Sequence, residues 1–314
     1  MYLPSNQSTP EALTAQACLI DFNQDAIFLS VLYSIFFVFG IPLNILALYG
    51  LYNLIRCENI LPVFVINLLL SNLLQLATLP LWIDYYRTGH CWSFGPIGCH
   101  GVTLIFYISI YVAIFFKCLI ALERHLAIAW PHKFQAVQKL RSVVCLSVGV
   151  WLTVAVPPLV SINTMFHELQ NKHLCNEKYP ADMHAIIYRL ITLALTFVLP
   201  FSFISILHMQ TLKCLAGLPS SRAEEKRRIR AFLSFLVIIF VVVLGPYHLI
   251  GSIKYIGLVF NPGNCEWEKS VFLPYQVGRA LLSLNTLLDP IMYIFLRNDF
   301  RELAQTHLSC LRRS

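Results

Sequence analysis

Apolar residues come in seven long runs separated by short polar clusters, at roughly 27–52, 61–86, 97–129, 140–161, 184–213, 229–258 and 270–294. Coiled as an α-helix at about 1.5 Å per residue, each run is long enough to cross a hydrocarbon core of about 30 Å. Pro42, Pro80, Pro157, Pro158, Pro200, Pro246 and Pro290 interrupt the runs, which membrane helices tolerate when neighbours satisfy the freed carbonyls. No internal repeat or low-complexity tract divides the chain. The pattern predicts an all-α membrane protein, a seven-transmembrane helix bundle in one domain.

Composition supports the pattern. The chain is 57% hydrophobic and 12% charged with mean hydropathy +0.67, which excludes a soluble domain of this length. The net charge of +7 is no sign of a nucleic-acid partner, because basic residues on a polytopic chain mark its cytoplasmic loops. The first twenty-five residues carry Glu11, Asp21 and Asp25 but no lysine or arginine. They lack the basic start and apolar core of a signal peptide, so the first run is expected to insert as an anchor with its N-terminus outside. Asn6-Gln7-Ser8 is then an exposed glycosylation sequon. On this topology seven basic residues face outward (Arg87, Lys172, Lys178, Arg189, Lys254, Lys269, Arg279), fifteen face inward, and Lys117 falls inside a helix. That bias fixes orientation and not function, since a transporter would share it.

The stretch from Cys99 to Arg124 covers roughly 37 Å as a helix, with a cysteine at one membrane face and Glu123-Arg124-His125 at the other. It resembles the third helix of rhodopsin-like G-protein-coupled receptors. Residues elsewhere extend the resemblance: Gly40-Ile41-Pro42-Leu43-Asn44, Leu79-Pro80-Leu81-Trp82, Trp151, Leu199-Pro200-Phe201, Asn285 and Asp289-Pro290-Ile291-Met292-Tyr293. Phe300-Arg301-Glu302-Leu303 is similar to the family's short amphipathic eighth helix. Thr78 to Tyr85, Trp92-Ser93-Phe94-Gly95, Lys178-Tyr179-Pro180 and Gly245-Pro246-Tyr247-His248-Leu249 look most like the proton-sensing, lysolipid and oxidised-fatty-acid receptor group. These motifs are shared in part with nucleotide receptors, so a nucleotide-type or orphan receptor with high basal activity is the alternative.

The resemblance implies a plasma-membrane receptor that passes an outer signal to a heterotrimeric G protein, with membrane lipids around it and no cofactor. It implies an extracellular segment 1–26, a receptor domain 27–294 and a cytoplasmic eighth helix and tail 295–314. It also implies a Cys99–Cys175 bridge. A second bridge, Cys18–Cys265, would tie the N-terminus to the third outer loop, but Cys91 leaves an odd number and competes for either partner. Cys310 follows the amphipathic segment 298–307 and is a palmitoylation candidate beside the plain reading of an unmodified tail cysteine. Arg124 is the expected G-protein contact, restrained at rest by Glu123, with Tyr293, Lys117 and Asp289 completing the switch.

The chain departs from the family in ways that bear on function. Asn72 stands where the family has an aspartate that helps hold sodium, Val154 where the proton-sensing group has a glutamate, and Val243-Leu244-Gly245-Pro246 lacks the aromatic before the proline. Asp289 is the one remaining acid of those on which the group's pH response depends. His90, His100, His167, His173 and His184 face outward on this topology and are proton-sensing candidates. That polar loops simply carry histidines is an equally good account, and a weak or absent acid response is expected. No two histidines sit three or four apart on a helix, so no metal site is expected.

Arg279, Lys254, Arg189, His248 and Tyr247 are expected to converge on one outer pocket for an anionic small molecule or lipid. The competing reading pairs Arg279 with Asp84 or Glu268. A charged lysine at helix centre costs about 2.5–3.5 kcal/mol on insertion scales, so Lys117 is expected to find a partner, with Asp289 nearest in depth. The competing reading lets its stem snorkel to the inner surface. An intramembrane hydrolase is disfavoured because Asp84, Glu123 and Asp289 lie at different depths with no histidine in register, and a transporter because paired broken helices are missing. No enzyme and no catalytic residue is expected.

Overall fold

The computed structural model describes residues 18–58, 62–131, 134, 139–165, 174–175, 179–217 and 223–296. Asn6, His167, His173, the segment 298–307 and Cys310 lie outside the described residues. The rest forms seven helical rods. They are α1 (Asn23–Glu58), α2 (Val63–Arg87), α3 (Gly95–Ala129), α4 (Leu140–Met165) and α5 (Met183–Ala216). Next comes α6, made of Ala223–Ile239, a π-helical turn Phe240–Leu244, and Gly245–Phe260. Last is α7, made of Cys265–Leu281, a 3₁₀ turn Leu282–Leu284, and Asn285–Leu296. Among them α1, α2, α3, α5 and α6 are long and apolar enough to cross a membrane. Helices are the form these runs must take in lipid, where every backbone N–H and C=O needs a partner within the protein.

Packing runs α1 on α2, α2 on α3, α3 on α5, α5 on α6 and α6 on α7, and α7 returns to α1, so the rods close a ring. The remaining rod, α4, lies against α3 and α2. The polarity of the bundle is the reverse of a soluble protein's. Val38, Phe39, Ile187, Leu195, Leu199 and Leu249 are exposed, whereas Asn72, Lys117, Glu268, Arg279 and Asp289 are buried. Large apolar side chains on the outside are stable only against hydrocarbon.

Two disulfides staple one end of the bundle. Cys99 at the start of α3 bonds Cys175, and Cys18 bonds Cys265 at the start of α7, with Cα atoms 5.6 and 5.2 Å apart. The odd cysteine, Cys91, is free and exposed. It takes neither partner in this structure.

Candidate functional site

The half of the ring nearest the disulfides gathers aromatic residues from several rods, and cations rest on their faces. Arg279 of α7 is 5% exposed. Its guanidinium donates to the Tyr86 hydroxyl and sits 5.7 Å above the Trp82 ring and 5.8 Å from that of Tyr86. Lys254 of α6 stands 4.5 Å over Tyr275, 5.2 Å over Tyr179 and 5.6 Å over Tyr255. Arg189 of α5 lies 5.4 Å over Tyr107 and donates to its hydroxyl, and Tyr107 is also within electrostatic reach of Arg279. A desolvated cation–aromatic contact is worth about 2 kcal/mol, which helps to hold each charge in place. Tyr247 joins the cluster against Tyr275, with ring centroids 5.7 Å apart.

His248 does not join it. Six residues of helix are about 1.7 turns, so His248 and Lys254 project from different faces, whereas Tyr247, seven residues from Lys254, shares its face. His248 turns to α5, donating from Nδ1 to the Leu244 carbonyl at 2.6 Å, with Nε2 3.1 Å from the Thr196 hydroxyl and its ring stacked on Phe197. The acids suggested as partners of Arg279 have other contacts. Asp84 accepts from Arg87 at 3.3 Å, and Glu268 accepts the Ala181 N–H at 2.9 Å and lies within electrostatic reach of Lys254.

Above the pocket His90 is not a solvated loop histidine. Its Nε2 lies 3.1 and 3.2 Å from the two carboxylate oxygens of Asp25, and both side chains are fully buried. Phe22 stacks on its ring at 4.5 Å, and Tyr85, Tyr86 and Phe272 wall it in. Of the other proton-sensing candidates, His184 is exposed at the start of α5 and His100 is half-buried near the top of α3. The partnership of His90 with Asp25 was not visible in the sequence.

Midway down, Lys117 reaches across from α3. Its Nζ is 3.1 Å from Asp289 Oδ1 and donates to Asn285 Oδ1 at 2.6 Å, while Asn72 donates to the other Asp289 oxygen at 3.3 Å. Snorkelling to the inner surface is thereby excluded. Asn285, noted only as a motif residue, proves to be the second acceptor. At the end opposite the disulfides Glu123 lies 3.9 Å from the half-exposed Arg124, and Tyr293 packs edge-on to Phe232. His125, the next residue, puts Nδ1 3.0 Å from the Thr211 hydroxyl and so joins α3 to α5.

Comparison with known proteins places these features. The family model for the seven-transmembrane receptor (rhodopsin family) matches residues 43–293. The chain is 28% identical to G-protein coupled receptor 68 of Homo sapiens, over 95% of this chain and 81% of that protein. It is 26% identical to probable G-protein coupled receptor 132 of Homo sapiens, over 94% and 78%. It is 29% identical to 2-oxoglutarate receptor 1 of Rattus norvegicus, over 90% and 85%.

Proposed function

Since the chain belongs to the rhodopsin family of seven-transmembrane receptors, multi-pass proteins of the cell surface that signal to heterotrimeric G proteins, we propose that its ligand is an anion with an apolar body. The observation that carries this reading is the buried Arg279 guanidinium, held between Trp82 and Tyr86 with Lys254 and Arg189 in the same aromatic cup. Arginine is placed at membrane depth at considerable cost, and its planar fork suits a carboxylate or phosphate. The rings suit an aliphatic or aromatic body, as ligand pockets generally combine apolar walls with a few placed charges. One relative is named as a receptor for 2-oxoglutarate, a dianion, which supports the charge assigned here.

The N-terminus is taken to face outside, since both disulfides lie at the end of the bundle it shares and disulfides persist in oxidising compartments. Arg124 then faces the cytosol, where release from Glu123 would let it meet a G protein once α6 swings outward.

A G-protein reporter in cells tests the ligand. Carboxylates, lysophospholipids, oxidised fatty acids and nucleotides are applied to the native receptor and to Arg279→Ala and Arg279→Lys. Losing a buried charge contact costs about 2–5 kcal/mol, so Arg279→Ala should lower the potency of the active anion by at least about thirtyfold. Arg279→Lys, which keeps charge but loses the fork, should fall between. Unchanged potency of every active anion in Arg279→Ala would overturn the assignment.

A further inference from the structure

Lys117, Asn72, Asn285 and Asp289 are each no more than 1% exposed and bring three rods, α2, α3 and α7, to one point. The ammonium meets a carboxylate oxygen at 3.1 Å and an amide oxygen at 2.6 Å. A third acceptor beside them, Oδ1 of Asn72, has no hydrogen-bond partner among the described residues. The Asn72 amide meanwhile holds the far oxygen of Asp289 at 3.3 Å, which fixes the carboxylate in its rotamer. A carboxylate oxygen and an amide oxygen meet a single positive charge in a buried place, with a second amide oxygen on the side chain that holds the carboxylate, and hard oxygens of this kind are the donor set a small monovalent cation would use. Here a covalently attached cation fills that place.

We propose that Lys117 is a tethered cation filling a latent monovalent-cation site between α2, α3 and α7, so that sodium in the medium does not set the resting state of this receptor. The ammonium neutralises Asp289 and draws α3 to the inner half of α7. An added ion cannot enter while it is present. Removing the ammonium alone strands the carboxylate and opens a space lined by oxygen, into which sodium can bind. Removing the carboxylate as well abolishes the demand for any cation. The inference is independent of the ligand assigned to the outer pocket.

The test uses the purified full-length receptor without ligand, melted in sodium chloride and in choline chloride at equal ionic strength. Native receptor should melt at the same temperature in both. Lys117→Met should melt lower in choline and recover in sodium by on the order of 2–4 °C, because an ion that binds only the folded state stabilises it. Lys117→Met/Asp289→Asn should regain the lost midpoint and respond alike to both salts. A sodium-specific rise in the native receptor, or a Lys117→Met receptor indifferent to sodium, overturns the proposal. Should Lys117→Met fail to reach the surface, the double variant should be displayed several-fold more abundantly in cells carrying an N-terminal tag. Equal loss in the single and double variants overturns it too.

Discussion

His90 and Asp25 illustrate what a single residue shows only when its neighbours are known. The two lie 65 positions apart, joined by no periodicity, and His90 followed by Cys91 reads as a loop. In the folded chain they form a fully buried pair under Phe22. Deleting either partner strands the other, which costs about 3–5 kcal/mol, whereas deleting both removes the demand. Asp25→Ala and His90→Ala should therefore each lower the thermal midpoint of the purified receptor, and the double variant should lose much less than their sum. Additive losses would mean the contact carries no coupling. Lys117 and Asp289 were legible for the opposite reason: hydrocarbon makes an unpaired lysine so costly that it must either find a partner at its own depth or reach the surface, which leaves few candidates. Grouping His248 with Lys254 from their nearness along the chain leaves out helical phase, which turns the histidine toward α5.

The rods themselves were written in the apolar runs, yet two irregular turns inside them were not. Pro246 has no N–H to close the regular helical bond, and the turn before it, Phe240–Leu244, widens to π-helical form. In α7 the Thr286 hydroxyl donates to the Ser283 carbonyl at 2.7 Å, beside the 3₁₀ turn Leu282–Leu284. A hydroxyl that occupies a helix carbonyl competes with the regular ladder and favours a tighter turn. Close approach of two rods is likewise invisible in an apolar run. A side chain at Gly278 would begin 3.1 Å from the Tyr247 Cα, so any larger residue there requires α6 to give way by a few tenths of an ångström. Gly278→Leu should wedge the two rods apart, costing about 1–3 kcal/mol. Because Tyr247 lines the proposed ligand pocket, agonist potency should fall by about tenfold or more in receptors that reach the surface. A receptor that signals normally with leucine there would show that the approach of α6 to α7 is not needed.

For the molecule as a whole, the ring is closed twice, once by packing of α7 on α1 and once by the Cys18–Cys265 bond across 247 residues. In water, closing a loop of that length would stabilise by about 5 kcal/mol on the chain-entropy account. In a bilayer the unfolded chain still consists of inserted helices, so less freedom is removed. Cys18→Ser/Cys265→Ser should accordingly lower stability by only about 1–2 kcal/mol, read as a midpoint shift of a few degrees in the full-length receptor. A collapse of folding would show that the bond, and not the packing, holds the ends together. The class of protein and the rods themselves were legible because lipid leaves a chain few choices, while the packing of rod on rod and the cup of rings around Arg279 depend on side chains from several rods meeting at one place. The bond has one more consequence. A single cut of the backbone anywhere between Cys18 and Cys265 leaves two pieces still joined through sulfur, so a nicked receptor runs as one species in denaturing detergent until a reductant parts the pieces.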